Sequence, residues 1–351
     1  MMSFSEALKT RDWLLTDGAT GTNLFARGLE AGDAPELWNL NAPDLVRAHY
    51  RSFLEAGSNI VLTNSFGGTA NRLKLHGAED RVEEINRAAA ELLRQEADAL
   101  GREVFVAGSM GPTGDLFVPL GPLTYDEGVA AFAAQAAGLA AGGADLLWIE
   151  TISSVEEVRA AVAGAARSGL PIVATLSFDT NGRTMMGITP AEWAQLAHDL
   201  PAPLAAYGAN CGTGAAELVA TLVGLAEAAQ PGDRLVAKAN CGIPQWIEGA
   251  IRYDGTPAMM ADYARLARDA GATIIGGCCG TTPGHIAAIR ESLEDHLPGT
   301  PPSLEEIASR LGALSNATLS LIGGQSDATE GEAEASGARR RRGRRRGATP
   351  F

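Results

Sequence analysis

The stretch Ala272-Thr273-Ile274-Ile275-Gly276-Gly277-Cys278-Cys279-Gly280-Thr281-Thr282-Pro283-Gly284-His285 carries the reading of this chain. An apolar run gives way to glycines and two adjacent thiols, and Pro283 then opens a helical pattern. That is one strand–turn–helix unit with its chemistry in the turn. An upstream unit has the same order, its apolar run ending in Asn210-Cys211-Gly212-Thr213-Gly214. Two such turns on one side of a barrel would bring three thiols together, enough for a metal site with one coordination position open.

Outward from these two units the alternation repeats. Strand-like runs are predicted at 13–17, 59–63, 104–108, 145–150, 172–178, 204–209, 235–239 and 273–277. Helical patterns follow at 43–57, 80–100, 125–142, 155–168, 190–199, 214–229, 257–270 and 283–296. Several helices stop at Ala-Gly or Gly-Gly, as at Ala56-Gly57, Gly142-Gly143 and Ala270-Gly271, where glycine takes the left-handed conformation without strain. Strict alternation implies a parallel sheet, and eight units in about 300 residues favour an α/β fold closed as a (β/α)8 TIM barrel. Chemistry in such barrels collects where strands end. Those ends read Asp17-Gly18, Thr63-Asn64, Gly108-Ser109, Glu150-Thr151, Asn210-Cys211, Asn240-Cys241 and Cys278-Cys279.

The barrel is expected over residues 1–300, and a short helix or linker over 301–314. Residues 315–351 are expected to be a disordered tail, acidic and then arginine-rich, because the segment has few large apolar side chains. A hydrophobic fraction of 46% suits a soluble globular core. No run approaches the ~20 apolar residues of a membrane span, and the N-terminus has no basic region before an apolar run, so a cytoplasmic protein is expected. Four cysteines in 351 residues do not form a disulfide framework. The formal charge of −14 hides a division: seven arginines lie between Arg339 and Arg346, leaving 42 acids against 21 bases elsewhere. A body that acidic repels nucleic acid, so a nucleic-acid role is not expected of it, although the tail alone could attract a polyanion or an acidic partner.

Buried cysteine is often only a small hydrophobe, and spacing alone leaves that open. The glycines beside Cys278 and Cys279 favour a backbone bent towards a metal. The run 276–285, with Asn210-Cys211-Gly212 and the opening Asp17-Gly18-Ala19-Thr20-Gly21-Thr22, resembles the zinc-dependent homocysteine S-methyltransferases. That family includes betaine–homocysteine methyltransferase and the homocysteine module of cobalamin-dependent methionine synthase. Thr63-Asn64-Ser65-Phe66, Gly111-Pro112-Thr113-Gly114 and Ile149-Glu150-Thr151 extend the likeness over about residues 14–289. The resemblance implies a barrel, zinc held by Cys211, Cys278 and Cys279, and homocysteine sulfur as a fourth ligand.

Physical chemistry supports that ligand set. A free thiol near pKa ~8.5 is mostly protonated at neutral pH and a poor nucleophile. Three thiolates give a zinc centre a net charge of −1, which keeps electron density on an added sulfur. Asp17 and Glu150 are candidates for the substrate ammonium through charge-assisted hydrogen bonds. The backbone of Gly18, Ala19 and Thr20 is a candidate for its carboxylate. Asn64 and Ser109 are candidate polar lining or turn residues. Cys241 departs from the Asn-Ala-Gly-x-Pro pattern of related methionine synthases and is expected to pack as a small residue. His285 is expected to cap or pack at the last helix.

Two methyl donors remain open at this level. Betaine or another onium would call for aromatic faces, for which Trp38, Phe66 and Tyr125 are candidates. Gly182-Arg183-Thr184 and the 240–244 segment are more like the cobalamin-dependent module, which points to a methylcorrinoid on a separate protein because the chain is too short for corrinoid and folate domains of its own. A homo-oligomer is possible. The competing class is a non-catalytic barrel with structural zinc, whose arginine-rich tail binds nucleic acid or a protein partner.

Overall fold

Alternation along the strands sorts the chain into an inside and an outside. A computed structural model of the protein describes residues 2–323 apart from positions 180, 244, 248 and 249. Eight parallel strands run through it: β1 (Leu14–Leu15), β2 (Ile60–Leu62), β3 (Phe105–Met110), β4 (Leu146–Ile152), β5 (Ile172–Leu176), β6 (Ala206–Cys211), β7 (Leu235–Ala239) and β10 (Ala272–Gly277). The remaining two, β8 (Gln245–Ile247) and β9 (Ala250–Arg252), form an antiparallel hairpin after β7. The sheet order is β1-β10-β7-β6-β5-β4-β3-β2, and a parallel bridge from Thr16 to Ile60 joins its two ends. This is the expected (β/α)8 barrel.

Side chains assist the closure at its weakest seam. Strand β1 is short, so Leu15 N donates to Asn59 Oδ1 at 3.1 Å and Leu62 N donates to Asp17 Oδ2 at 2.8 Å. Helices lie on the outside, at Pro43–Glu55, Val82–Ala99, Tyr125–Ala141, Val155–Ala165, Pro190–Leu196, Ala215–Ala228, Pro257–Asp269 and Pro283–Glu294. Their apolar faces pack on outward strand residues such as Val61, Val106, Leu147, Ile149, Ala237 and Ile275.

The inward face has two levels. Leu14, Ile60, Leu62, Phe105, Ala107, Leu146, Trp148, Val173, Ala206, Val236 and Ile274 fill the lower barrel. Phe4, Ala7 and Leu8 of the helix Phe4–Thr10 close it from below. Two to four residues further along the same strands, or just past their ends, the inward positions become Ser109, Glu150, Asn210, Lys238 and Cys278. An apolar floor therefore supports a polar upper level at the C-terminal mouth.

The C-terminal reading needs one correction. Within the expected helix or linker 301–314 a helix runs over Leu304–Leu311, but the segment from 315 is not wholly without structure, since Asn316–Ile322 is a helix. Ser315 Oγ caps it by accepting from Thr318 N. Glu217 Oε1 accepts from Ser315 N and Glu217 Oε2 from Thr318 Oγ1, each at 2.6 Å. A capped helix can be held by two anchors of this kind even where the surrounding composition is poor in apolar residues. The rest of the expected tail, with all seven arginines, lies outside the described residues.

Candidate metal and substrate site

Strand β6 delivers Cys211, and the turn after β10 delivers Cys278 and Cys279. Cys211 and Thr151 each adopt φ 63°, the left-handed region that costs a side-chain-bearing residue about 1–2 kcal/mol. Gly212 continues the left-handed turn at φ 72°. At Gly277 a Cβ would lie 2.2 Å from Thr281 Cγ2, so only glycine allows the turn to fold back this closely.

Two asparagines hold these turns in register. Asn240 Oδ1 accepts from Cys279 N at 3.0 Å while its Nδ2 donates to Gly212 O at 2.7 Å, tying the two thiol turns together. Asn210 Oδ1 accepts from Thr151 N at 2.9 Å, and its Nδ2 donates to Thr151 Oγ1 at 2.7 Å. The same Nδ2 stands 3.8 Å from Cys278 Sγ. Cys278 N also donates to Ala239 O at 2.7 Å.

The three sulfurs lie within 4.8 Å of one another, with Cys211 and Cys279 3.9 Å apart. Tetrahedral zinc with Zn–S of about 2.3 Å would place its sulfurs ~3.8 Å apart, whereas a disulfide needs about 2.05 Å. The spacing and the all-thiol donor set fit a metal. Without one, the thiols resist ionisation. At Cys211 the hydrogen bond with Cys278 lowers the pKa, but that with Cys279, burial and the neighbouring charge push it up to about 12. Cys279 is likewise pushed up to about 12, its bond with Cys211 outweighed by the bond and charge of Cys278 and by burial. Hydrogen bonding with Cys211 and burial raise Cys278 further.

Glu150 stands on β4 beside this trio, 8% exposed, with Oε1 accepting from Ser109 Oγ at 2.5 Å. Burial raises its pKa, opposed by Lys238 and Ser109. Asp17 is fully buried. Its Oδ1 accepts from Lys238 Nζ at 3.0 Å and from Thr16 Oγ1 at 3.1 Å, and its Oδ2 accepts from Leu62 N. Asp17 therefore lies beneath the mouth as the partner of Lys238, while Glu150 borders the mouth itself.

The loop Gly18–Thr20 leans on the second thiol turn. A Cβ at Gly18 would lie 2.7 Å from Thr281 O, and Ala19 N donates to that oxygen at 3.3 Å. Asn64 turns its amide to Pro35 O and Asn39 Oδ1, at 2.7 and 3.0 Å, and so braces a loop. Cys241 is 1% exposed and contacts His285 Nε2 at 3.2 Å. His285 Nδ1 accepts from Thr282 N and faces Thr282 Oγ1, the capping arrangement expected of it.

Four participants carry no role in the sequence reading: Lys238, Asn210, Asn240 and Tyr253. The Tyr253 ring packs on Gly280, and burial together with the neighbouring Cys279 raises its pKa. Lys238 does have a signal, a lone cation inside the apolar run 235–239, because lysine is almost never fully buried without a partner.

Comparison with known proteins finds relatives over most of the chain. The chain is 29% identical over 338 residues to a methionine synthase of Mycobacterium tuberculosis, covering 90% of this chain and 28% of that protein. A methionine synthase of Mycobacterium leprae is 30% identical over 307 residues, covering 82% and 25%. The chain thus spans about a quarter of these relatives' length. Among solved structures, the metallated homocysteine methyltransferase MmuM of Escherichia coli superposes with a TM-score of 0.67 at 26% identity, covering 81% of this chain and 97% of that one. The family model described as Homocysteine S-methyltransferase matches residues 14–293, and the chain belongs to that family.

Proposed function

We propose that this protein is a homocysteine S-methyltransferase that makes methionine, with Cys211, Cys278 and Cys279 holding zinc at the barrel mouth. The observation that carries this reading is the three-thiol cluster beside Glu150, on a barrel of this family. Bound there, zinc would strip the proton from an incoming thiol and hold its sulfur as a nucleophile at neutral pH. The chain's own residues do the rest. Glu150 accepts the α-ammonium, with Ser109 fixing its carboxylate by a hydrogen bond. Of the Gly18–Thr20 backbone, the N–H groups of Gly18 and Thr20 are offered to the α-carboxylate, Ala19 N being held by Thr281 O. Asn210 and Asn240 keep the thiol turns at fixed spacing. Methyl transfer is then displacement at an electrophilic methyl carbon, oriented by the bound amino acid.

The donor is betaine or another onium, or a methylcorrinoid on a partner protein. Phe66, in the loop after β2, and Tyr125, the first residue of the helix Tyr125–Ala141, expose aromatic surface, as an onium would require, whereas Trp38 packs against the core. Leu116, Val118, Leu120, Met185 and Ile243 are exposed in the loops after β3, β5 and β7, a rim suited to a protein-borne donor. The purified zinc-loaded protein is assayed with homocysteine and, in separate reactions, betaine, a sulfonium donor and methylcobalamin. Methionine formation with one of them is expected. Failure with all three, together with failure of homocysteine to bind, would remove the proposal.

A further inference from the structure

Lys238 is the buried charged group at the mouth that the proposed reaction leaves unused. It is 2% exposed and projects inward from β7, paired in register with Asn210 on β6 and with Gly276 on β10. Gly276 has no side chain to crowd it. The ammonium lies 3.0 Å from Asp17 Oδ1 and 5.3 Å from the centre of the Trp148 ring, which offers it a π-face. Resting on the homocysteine reading above, we propose that Lys238 is a positioning residue that permanently occupies Asp17. It thereby makes Glu150 the one carboxylate that selects the substrate's amino group.

The hydrogen-bond inventory separates the two acids. Asp17 accepts from Lys238, Thr16 and Leu62, and all of these donors belong to the protein. It has no exposed surface through which a substrate could approach. Glu150 accepts from Ser109 at Oε1, and among the described residues no donor reaches Oε2. An ammonium entering the mouth therefore meets one available acceptor. Removal of Lys238 would bare a second carboxylate deeper in the barrel. The buried negative charge would then draw the ammonium inward and pull the substrate's sulfur out of position.

The test measures binding of two thiols to the zinc-loaded protein by calorimetry: homocysteine and 4-mercaptobutanoate, which lacks the amino group. The wild type is expected to prefer homocysteine by about 10- to 100-fold, the range for a charge-assisted hydrogen bond. Glu150→Gln should abolish that preference. The double variant Asp17→Asn with Lys238→Met removes both buried charges at once, which proteins tolerate better than the loss of one. It should keep the preference within about threefold of wild type. Lys238→Met alone should raise the preference while lowering kcat in the methyl-transfer assay. A double variant that loses the preference as Glu150→Gln does would make Asp17 the ammonium acceptor and overturn the inference. A Glu150→Gln protein that keeps the preference would overturn it as well. No binding of either thiol to the wild type would bring down the homocysteine reading itself.

Discussion

At the scale of single residues, the site works through groups whose environment changes what they would do in water. The three thiols are held protonated by burial and by one another, so metal uptake must displace their protons. Zinc binding at pH 7.5 is therefore expected to release two to three protons, roughly one per thiolate formed. Calorimetry in buffers of different ionisation enthalpy measures that number. Because the free thiols' pKa values are raised, acidification favours the metal-free form. Zinc affinity should fall by about two to three orders of magnitude for each unit of pH lowered, which a chromophoric chelator would follow. Cys278→Ala should abolish stoichiometric zinc and methyl transfer together, while a barrel that still unfolds cooperatively shows that the lesion is local. Retained turnover in that variant would remove the three-thiol centre from the mechanism.

At the scale of elements, what matters is how neighbouring turns are tied. Asn210 is fixed by β6 and satisfies both N–H and hydroxyl of Thr151, which sits in a strained conformation next to Glu150. Its amide also approaches Cys278. Asn210→Ala leaves a buried donor unpaired, so a loss of about 1–3 kcal/mol in urea unfolding is expected. Because the turn also positions Glu150, the homocysteine KM should rise more than kcat falls; an unchanged KM would make Asn210 purely structural. The strands and main helices were legible from the sequence because the switch between periods of 2 and 3.6 repeats eight times with glycine stops. The clustering of Cys211, Cys278 and Cys279 was legible because tandem thiols among glycines have little use in a core. Lys238 and Asn210 were not, since their roles depend on partners on strands more than fifty residues away. The β8–β9 hairpin was also missed, being two three-residue strands too short to show alternation. The helix Asn316–Ile322 was hidden by averaging composition over a long polar tail, although Ser315 is a good cap.

At the scale of the whole molecule, the C-terminal segments divide into a part that packs and a part distinguished by charge. Ile307 is fully buried, and both C-terminal helices lie against the barrel helix Ala215–Ala228. Ending the chain after residue 302 would expose that face and strip Glu217 of both its donors. Such a truncation should lose about 3 kcal/mol or more in chemical denaturation, from exposed apolar area and unpaired polar groups. Ending it after residue 323 removes none of these contacts, so zinc content, thermal midpoint and methyl transfer should match the full chain. What that shorter truncation does remove is the block of seven arginines, the main concentration of positive charge in an otherwise acidic sequence. Counterion release makes binding by such a block indifferent to sequence and steeply dependent on salt, with a slope of log affinity against log salt near −6 for duplex DNA. The full chain should therefore bind heparin, DNA and RNA comparably at low salt and release all three by roughly 0.2 M, while the 323-residue form binds none of them. Salt-resistant binding to one nucleic acid alone would contradict this picture, because it requires specific contacts that arginines without interleaved aromatic residues do not supply.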